Sequence, residues 1–235
     1  MFGEGPDLTK VGEGGEFQSG TMEESQESYS LETFGKVFAI SRQALVNDDL
    51  GAFAAIPAKL GMAARAFEAK TLAAKIEANP LMSDGTAVFA AGHGNTATAG
   101  ATLEDDLTAA RLAMRKQTGL SGDLIDVTPR FVLVPPALET ALEKALSTIQ
   151  ATKTSDSNPF AALQLVVEPR LTSATKWYVV ADPALIDGLE YASLEGSPGP
   201  QIETRAGFEV DGVQMRVRLD FGCGWIDHRS WFRVG

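Results

Sequence analysis

Residues 52 to 78 hold eleven alanines and no run of β-branched residues, and they end at Asn79-Pro80. Alanine is the best helix former, and a proline cannot continue a helix. The stretch is therefore committed to a long helix closing at Ala78. Short polar side chains at Asn47-Asp48-Asp49 can cap free N–H groups, which places the start there, with a bend or restart expected at Pro57. Leu60, Ala64, Phe67 and Ala74 form one stripe, with Lys59, Arg65, Lys70 and Lys75 dispersed around it. A helix faced with such small side chains can lie close against a flat neighbour.

The rest of the chain mixes helices and strands. Thr102-Leu103-Glu104-Asp105 opens a helix whose Leu103, Leu107, Ala110 and Met114 share a face, ending near Gly119. Arg130 to Val134 reads as a buried strand, and Pro136 suits the first position of a helix presenting Leu138, Leu142, Ala145 and Ile149. Leu163 to Val167 and Trp177 to Ala181 are expected strands, with a polar loop from Ala151 to Pro159. Asp211-Gly212 predicts a tight hairpin between 205–210 and 213–219, and 221–232 can add a final strand. Without regular βαβ alternation or an internal repeat, the class is α+β.

The N-terminal region is different. Residues 1–16 contain five glycines and a proline and read as an extended arm. Residues 17–40 read as two strands around a polar tip, the return strand alternating Tyr29, Leu31 and Thr33 with Ser30, Glu32 and Phe34. Such a hairpin is marginal alone, so its support is expected from outside its own chain. Residues 1–35 carry −7 and the remaining 200 residues −4. An acidic surface repels phosphate, which disfavours sequence-independent nucleic-acid binding. No apolar run approaches the roughly 18 residues of a membrane span, and the start lacks the pattern of a secretory signal. One cysteine, Cys223, excludes a disulfide framework. These features together predict a cytosolic globular protein.

Catalysis has one sequence candidate, His93 in Ala91-Gly92-His93-Gly94-Asn95, where flanking glycines can expose an imidazole. A hydrolase would pair it with Cys223 or an acid, but neither Cys223 nor His228 lies in a catalytic or metal-ligand spacing. A histidine satisfied by backbone groups is the stronger reading. Glu104-Asp105-Asp106 and Asp48-Asp49 suit helix N-termini better than a cation site, and Trp177-Tyr178, Trp225 and Trp231 read as core aromatics. No catalytic, cofactor or metal site is expected.

The block from Phe38 to Phe53, FAISRQALVNDDLGAF, resembles the segment that precedes the long helix in major capsid proteins of Mu-like tailed phages, a family often encoded fused behind a head-maturation protease. Further blocks agree in order: NPLMSDG from Asn79, AGHGN from Ala91, RLAMR from Arg111, PRFVLVPPALE from Pro129, VEPRL from Val167, Trp177-Tyr178 with Ala181-Asp182-Pro183, and GFEVDGV from Gly207. The tail 221–229 matches less well.

This resemblance implies the Hong-Kong-97-like capsid fold. Residues 1–16 would be the N-terminal arm, 17–40 the extended loop over a neighbouring subunit, and 41–80 the spine helix of the peripheral domain. Residues 81–200 would form mainly the axial domain, and 201–235 a hairpin and C-terminal strand returning to the peripheral domain. Tyr29, Leu31, Phe34, Lys36 and Phe38 are the expected inter-subunit loop contacts, while Leu60, Ala64 and Phe67 pack the spine helix within the subunit. The implied function is a structural shell protein of a phage head, assembling as hexamers and pentamers in the host bacterial cytoplasm around double-stranded DNA that it does not bind specifically. The implied partners are further copies, with portal, scaffold or protease, and cement proteins, and no membrane. The alternative within the same fold is an encapsulin-like nanocompartment shell.

Overall fold

The helix stop at Asn79 is made by the asparagine itself. Its φ of 46° is a left-handed conformation that ends the helical path. Its side-chain amide then donates to the Phe89 carbonyl at 3.1 Å and accepts from the Phe89 N–H at 2.7 Å. The computed structural model describes residues 26–47, 55–147, 159–207 and 211–235. In chain order the elements are β1 (Glu32–Ser41), α1 (Arg42–Val46), α2 (Ile56–Ala78), β2 (Thr96–Ala97), α3 (Leu103–Arg115), β3 (Pro129–Val134) and α4 (Glu139–Leu146). There follow β4 (Gln164–Val167), β5 (Trp177–Ala181), β6 (Leu189–Ser193), β7 (Gln201–Ala206), β8 (Gly212–Trp225) and β9 (Trp231–Val234).

The chain divides into two compact units. The first comprises Asn79–Leu189 and Trp225–Gly235, with the described residues before Tyr29. Its sheet has the order β2-β9-β5-β3-β4, antiparallel at the β9-β5 and β5-β3 junctions and parallel at its two outer ones. Leu107, Ala110 and Met114 of α3 and Leu142 and Leu146 of α4 bury themselves with Val132, Val134, Trp177, Val179, Phe232 and Val234 of the sheet. That apolar spacing on α3 is the one the sequence shows. Thr102 caps the helix by accepting from the Asp105 N–H at 3.1 Å.

The second unit comprises Tyr29–Ala78 and Glu190–Gly224. Here β8 is central: β1 pairs antiparallel along one side of it, from Glu32 opposite Phe221 to Ser41 opposite Gly212, while β7 and β6 pair on the other. One face of this sheet meets α2 through a small core of Ala64, Leu219 and Phe221, flanked by Phe34, Phe67, Leu72 and Cys223.

Several expectations change. Described α2 begins at Ile56 with Pro57 in its first turn; the cap at Asp48-Asp49, the arm 1–16 and the outgoing strand over 17–25 lie outside the described residues. Ala74 is exposed on α2, and Ala73 and Ile76 are buried instead. Leu146 rather than Ala145 continues the buried face of α4, and Ile149 lies outside the described residues. Asp211-Gly212 is not the hairpin turn. Ala206 pairs with Val213 and the Gly207 N–H donates to the Gly212 carbonyl, so Gly212 already belongs to β8. A side chain there would strike the Ile40 carbonyl of β1, so close strand approach, not turn geometry, requires the glycine.

The segment 201–235 also does not return as one piece. Residues 190–224 build the second unit, whereas β9 lies between β2 and β5 in the first. The boundary falls between Gly224 and Trp225, and just beyond it the Asp227 carboxylate accepts from the Arg229 N–H at 2.9 Å and turns the chain.

Candidate assembly surface and the histidine site

β1 carries the expected loop contacts, and strand geometry sorts them. Residues 34, 36, 38 and 40 share one face with Leu219, Val217, Met215 and Val213. Phe34 turns inward, its ring centroid 4.6 Å from that of Phe67. It is a packing residue of its own subunit. Tyr29 is also half-buried: it lies against Gly224, and burial together with the neighbouring Glu190 raises its hydroxyl pKa. Lys36 is exposed, and Leu31 and Phe38 are 43% and 45% exposed, with Val37 on the opposite face at 59%. Among the described residues, β1 pairs with β8 alone, so the backbone groups of alternate residues along it face outward. On α2, Ala64 is buried in the small core, with Phe67 packed against it and Leu60 half-buried.

His93 sits at the end of the short 3-10 turn Ala91–His93, with Gly94 left-handed after it. Its Nδ1 lies 3.0 Å from the Val88 carbonyl and its Nε2 2.8 Å from the Asp84 carboxylate. The His228 ring stacks on it at 3.7 Å with an interplanar angle of 12°. Asp84 has a lowered pKa, chiefly because of the hydrogen bond from His93. His228 is lowered to about 4, first by burial and then by His93. The partners of the two His93 nitrogens are the Val88 carbonyl and the Asp84 carboxylate, and among the described residues no hydroxyl or thiol nucleophile stands at either. Cys223 belongs to the second unit, and burial raises its thiol pKa, the opposite of what a nucleophile needs. The reading of His93 as a histidine satisfied by backbone groups fits Nδ1 alone; Nε2 is met by the Asp84 carboxylate, which the sequence did not indicate.

Buried Asn95 organises the same neighbourhood. Its side chain donates to the Val88 and His228 carbonyls at 2.8 and 3.2 Å and accepts from the Ala90 N–H at 3.2 Å. Next to it lies a buried ion pair that sequence reasoning missed: Asp227 and Arg229 are 3% and 5% exposed and joined in a fork at 2.9–3.1 Å. The Asp-x-Arg spacing was visible, but nothing in the sequence separates a buried pair from a solvated one. Glu104, Asp105 and Asp106 divide between the cap of α3 and the Gly100 N–H, which Asp106 accepts at 2.6 Å. Trp177 and Tyr178 are buried, and Trp225 packs edge-on against Trp231 at 5.1 Å, a core cluster rather than a ligand platform.

One unit is a sheet backed by a long helix and the other a mixed sheet packed with helices, an architecture shared with solved viral and nanocompartment shells. The capsid protein of cyanophage P-SCSP1u superposes with a TM-score of 0.64 at 10% identity, covering 99% of this chain and 80% of that one. The mature capsid of bacteriophage PhiM1 gives 0.63 at 14% identity, covering 100% and 80%. The SrpI encapsulin of Synechococcus elongatus gives 0.58 at 12%, covering 91% and 76%. The fold is therefore the Hong-Kong-97-like shell fold. Within it, the chain belongs to the phage capsid protein family, whose pattern it matches over residues 24–234. It is a phage capsid protein, a structural protein of the virion shell. No curated protein matches its sequence.

Proposed function

We propose that this subunit builds hexamers and pentamers in the host cytoplasm and closes them around double-stranded DNA, the second unit acting as the peripheral domain and the first as the axial domain. The observation that carries the reading is β1. It is a long edge strand, paired on one side among the described residues, with Val37 and Phe38 exposed on it and Leu31 exposed just before it. Open apolar edges are a liability for an isolated protein and a template for a neighbour. In this reading Leu31, Phe38 and Lys36 contact the adjacent subunit, and Phe34 and Tyr29 set the strand's position within their own. The acidic total, −11, keeps the shell from holding its DNA tightly. Portal, scaffold or protease, and cement proteins would complete the head.

The test is sedimentation of the purified full chain through a sucrose gradient, with negative-stain electron microscopy of the fast fractions. Closed shells, or rings of five and six, are expected. Shells lacking DNA but filled with a protein cargo would favour the nanocompartment reading.

A further inference from the structure

We propose that His93, stacked on His228, is a proton-operated clasp that holds the 81–87 loop, with Glu27 attached, to the first unit. Hydrogen-bond accounting carries it. The Val88 carbonyl and the Asp84 carboxylate are both acceptors, at 3.0 and 2.8 Å from the two ring nitrogens. A neutral imidazole has one N–H, so only the doubly protonated ring serves both. The His93 side chain is 7% exposed, leaving little room for water to replace a lost partner. Histidine is the side chain that changes charge in the physiological range.

The clasp reaches further than one carboxylate. The other Asp84 oxygen accepts from the Thr86 N–H at 2.8 Å, fixing the turn. Beside it, Glu27 accepts from both the N–H and the hydroxyl of Ser83, at 2.8 and 2.5 Å. Glu27 is two residues before the chain enters the second unit at Tyr29. On the other side, Asn95 holds the Val88 and His228 carbonyls and Gln117 donates to the His93 carbonyl at 2.8 Å, so the backbones around the rings are fixed. The charged groups facing the pair are Asp84 and Glu27 from the loop side and Asp227 and Arg229 flanking His228. The last two are committed to each other, which leaves Asp84 as the charge that answers His93. Loss of the His93 proton leaves one ring nitrogen with its lone pair against an acceptor. The Val88 carbonyl is buried and held by Asn95, whereas Asp84, 51% exposed, can turn to water, so Asp84 is the arm released.

The experiment follows the Ser83 and Thr86 amides of ¹⁵N-labelled, unassembled full-length protein between pH 5 and 8, beside Asp84→Asn. Asparagine keeps the oxygen that Thr86 bonds and offers an N–H₂ to a neutral His93, so its clasp stays shut on the alkaline side. In the wild type both amide signals should move with pH and, relative to the variant at the same pH, exchange should quicken about tenfold on the alkaline side. In a second variant, His93→Gln, the two-histidine spectrum reduces to one signal, and His228 should titrate above its value of about 4. Equal pH responses in the wild type and Asp84→Asn, or no response in the wild type, would overturn the clasp. So would an unmoved His228 in His93→Gln.

Discussion

The two units solve the problem of burying a sheet in opposite ways. In the first, fourteen residues from two helices, three strands and two connecting segments form one buried cluster. In the second, a four-stranded sheet and a 23-residue helix share three buried residues, Ala64, Leu219 and Phe221. Alanines explain part of this: they let α2 approach the sheet but bury little area each. The rest lies in β1, of which only Ile40 is buried. The first unit has the core of an ordinary domain, whereas under the proposed function the second is completed by other copies, where oligomerisation and stability are linked.

The largest effects should come from the first unit. Arg229→Met strands Asp227 as an unpaired charge at 3% exposure. It should cost about 3–5 kcal/mol, read as a loss of soluble, cooperatively melting protein. Leu142→Ala, at a fully buried position, should cost about 2–5 kcal/mol in denaturant unfolding. If either proves mild, the contrast between the units is weaker than their cores indicate. In the second unit, Phe34→Ala removes one half-buried ring from a shallow core and should cost about 1–2 kcal/mol.

Acid sharpens the same contrast. His228 is lowered to about 4 from 6.5, so the folded first unit prefers it neutral while the unfolded chain takes up its proton earlier. Its contribution is fully present above pH 6.5 and is lost as the pH falls from there to about 4. Melting temperature should therefore drop between pH 7 and 5, and His228→Gln should flatten that slope. An unchanged slope in the variant would mean that other groups carry the acid response.

Much of this was legible in the sequence because it rests on local chemistry. Thr102 announced α3, Asn79-Pro80 stopped α2, and Arg130–Val134 and Trp177–Ala181 read as strands from composition alone. What misled were features whose meaning depends on distant partners. Gly212 resembles a turn glycine, yet it is small because the Ile40 carbonyl of β1 crosses it. Phe34 resembles its exposed neighbours on β1, and only Phe67, thirty-three residues on, turns it inward. The His93–His228 stack joins residues 135 apart and the Asp227–Arg229 pair is defined by burial; neither has a local signature.

The smallest effect on the free subunit should accompany the clearest effect on the shell. Leu31→Ser with Phe38→Ser changes two side chains that are 43% and 45% exposed and belong to neither buried core cluster. Each surface change should lie within about 0.5 kcal/mol, so the subunit should melt almost as the wild type does. If a neighbour covers β1, those same side chains become buried in the assembled shell, and truncating them costs interface energy at every repeat. Fast-sedimenting material should then fall sharply while the free subunit stays folded. Normal shells from the double variant would place the contact elsewhere on the second unit, with exposed Met62 and Tyr191 next in line.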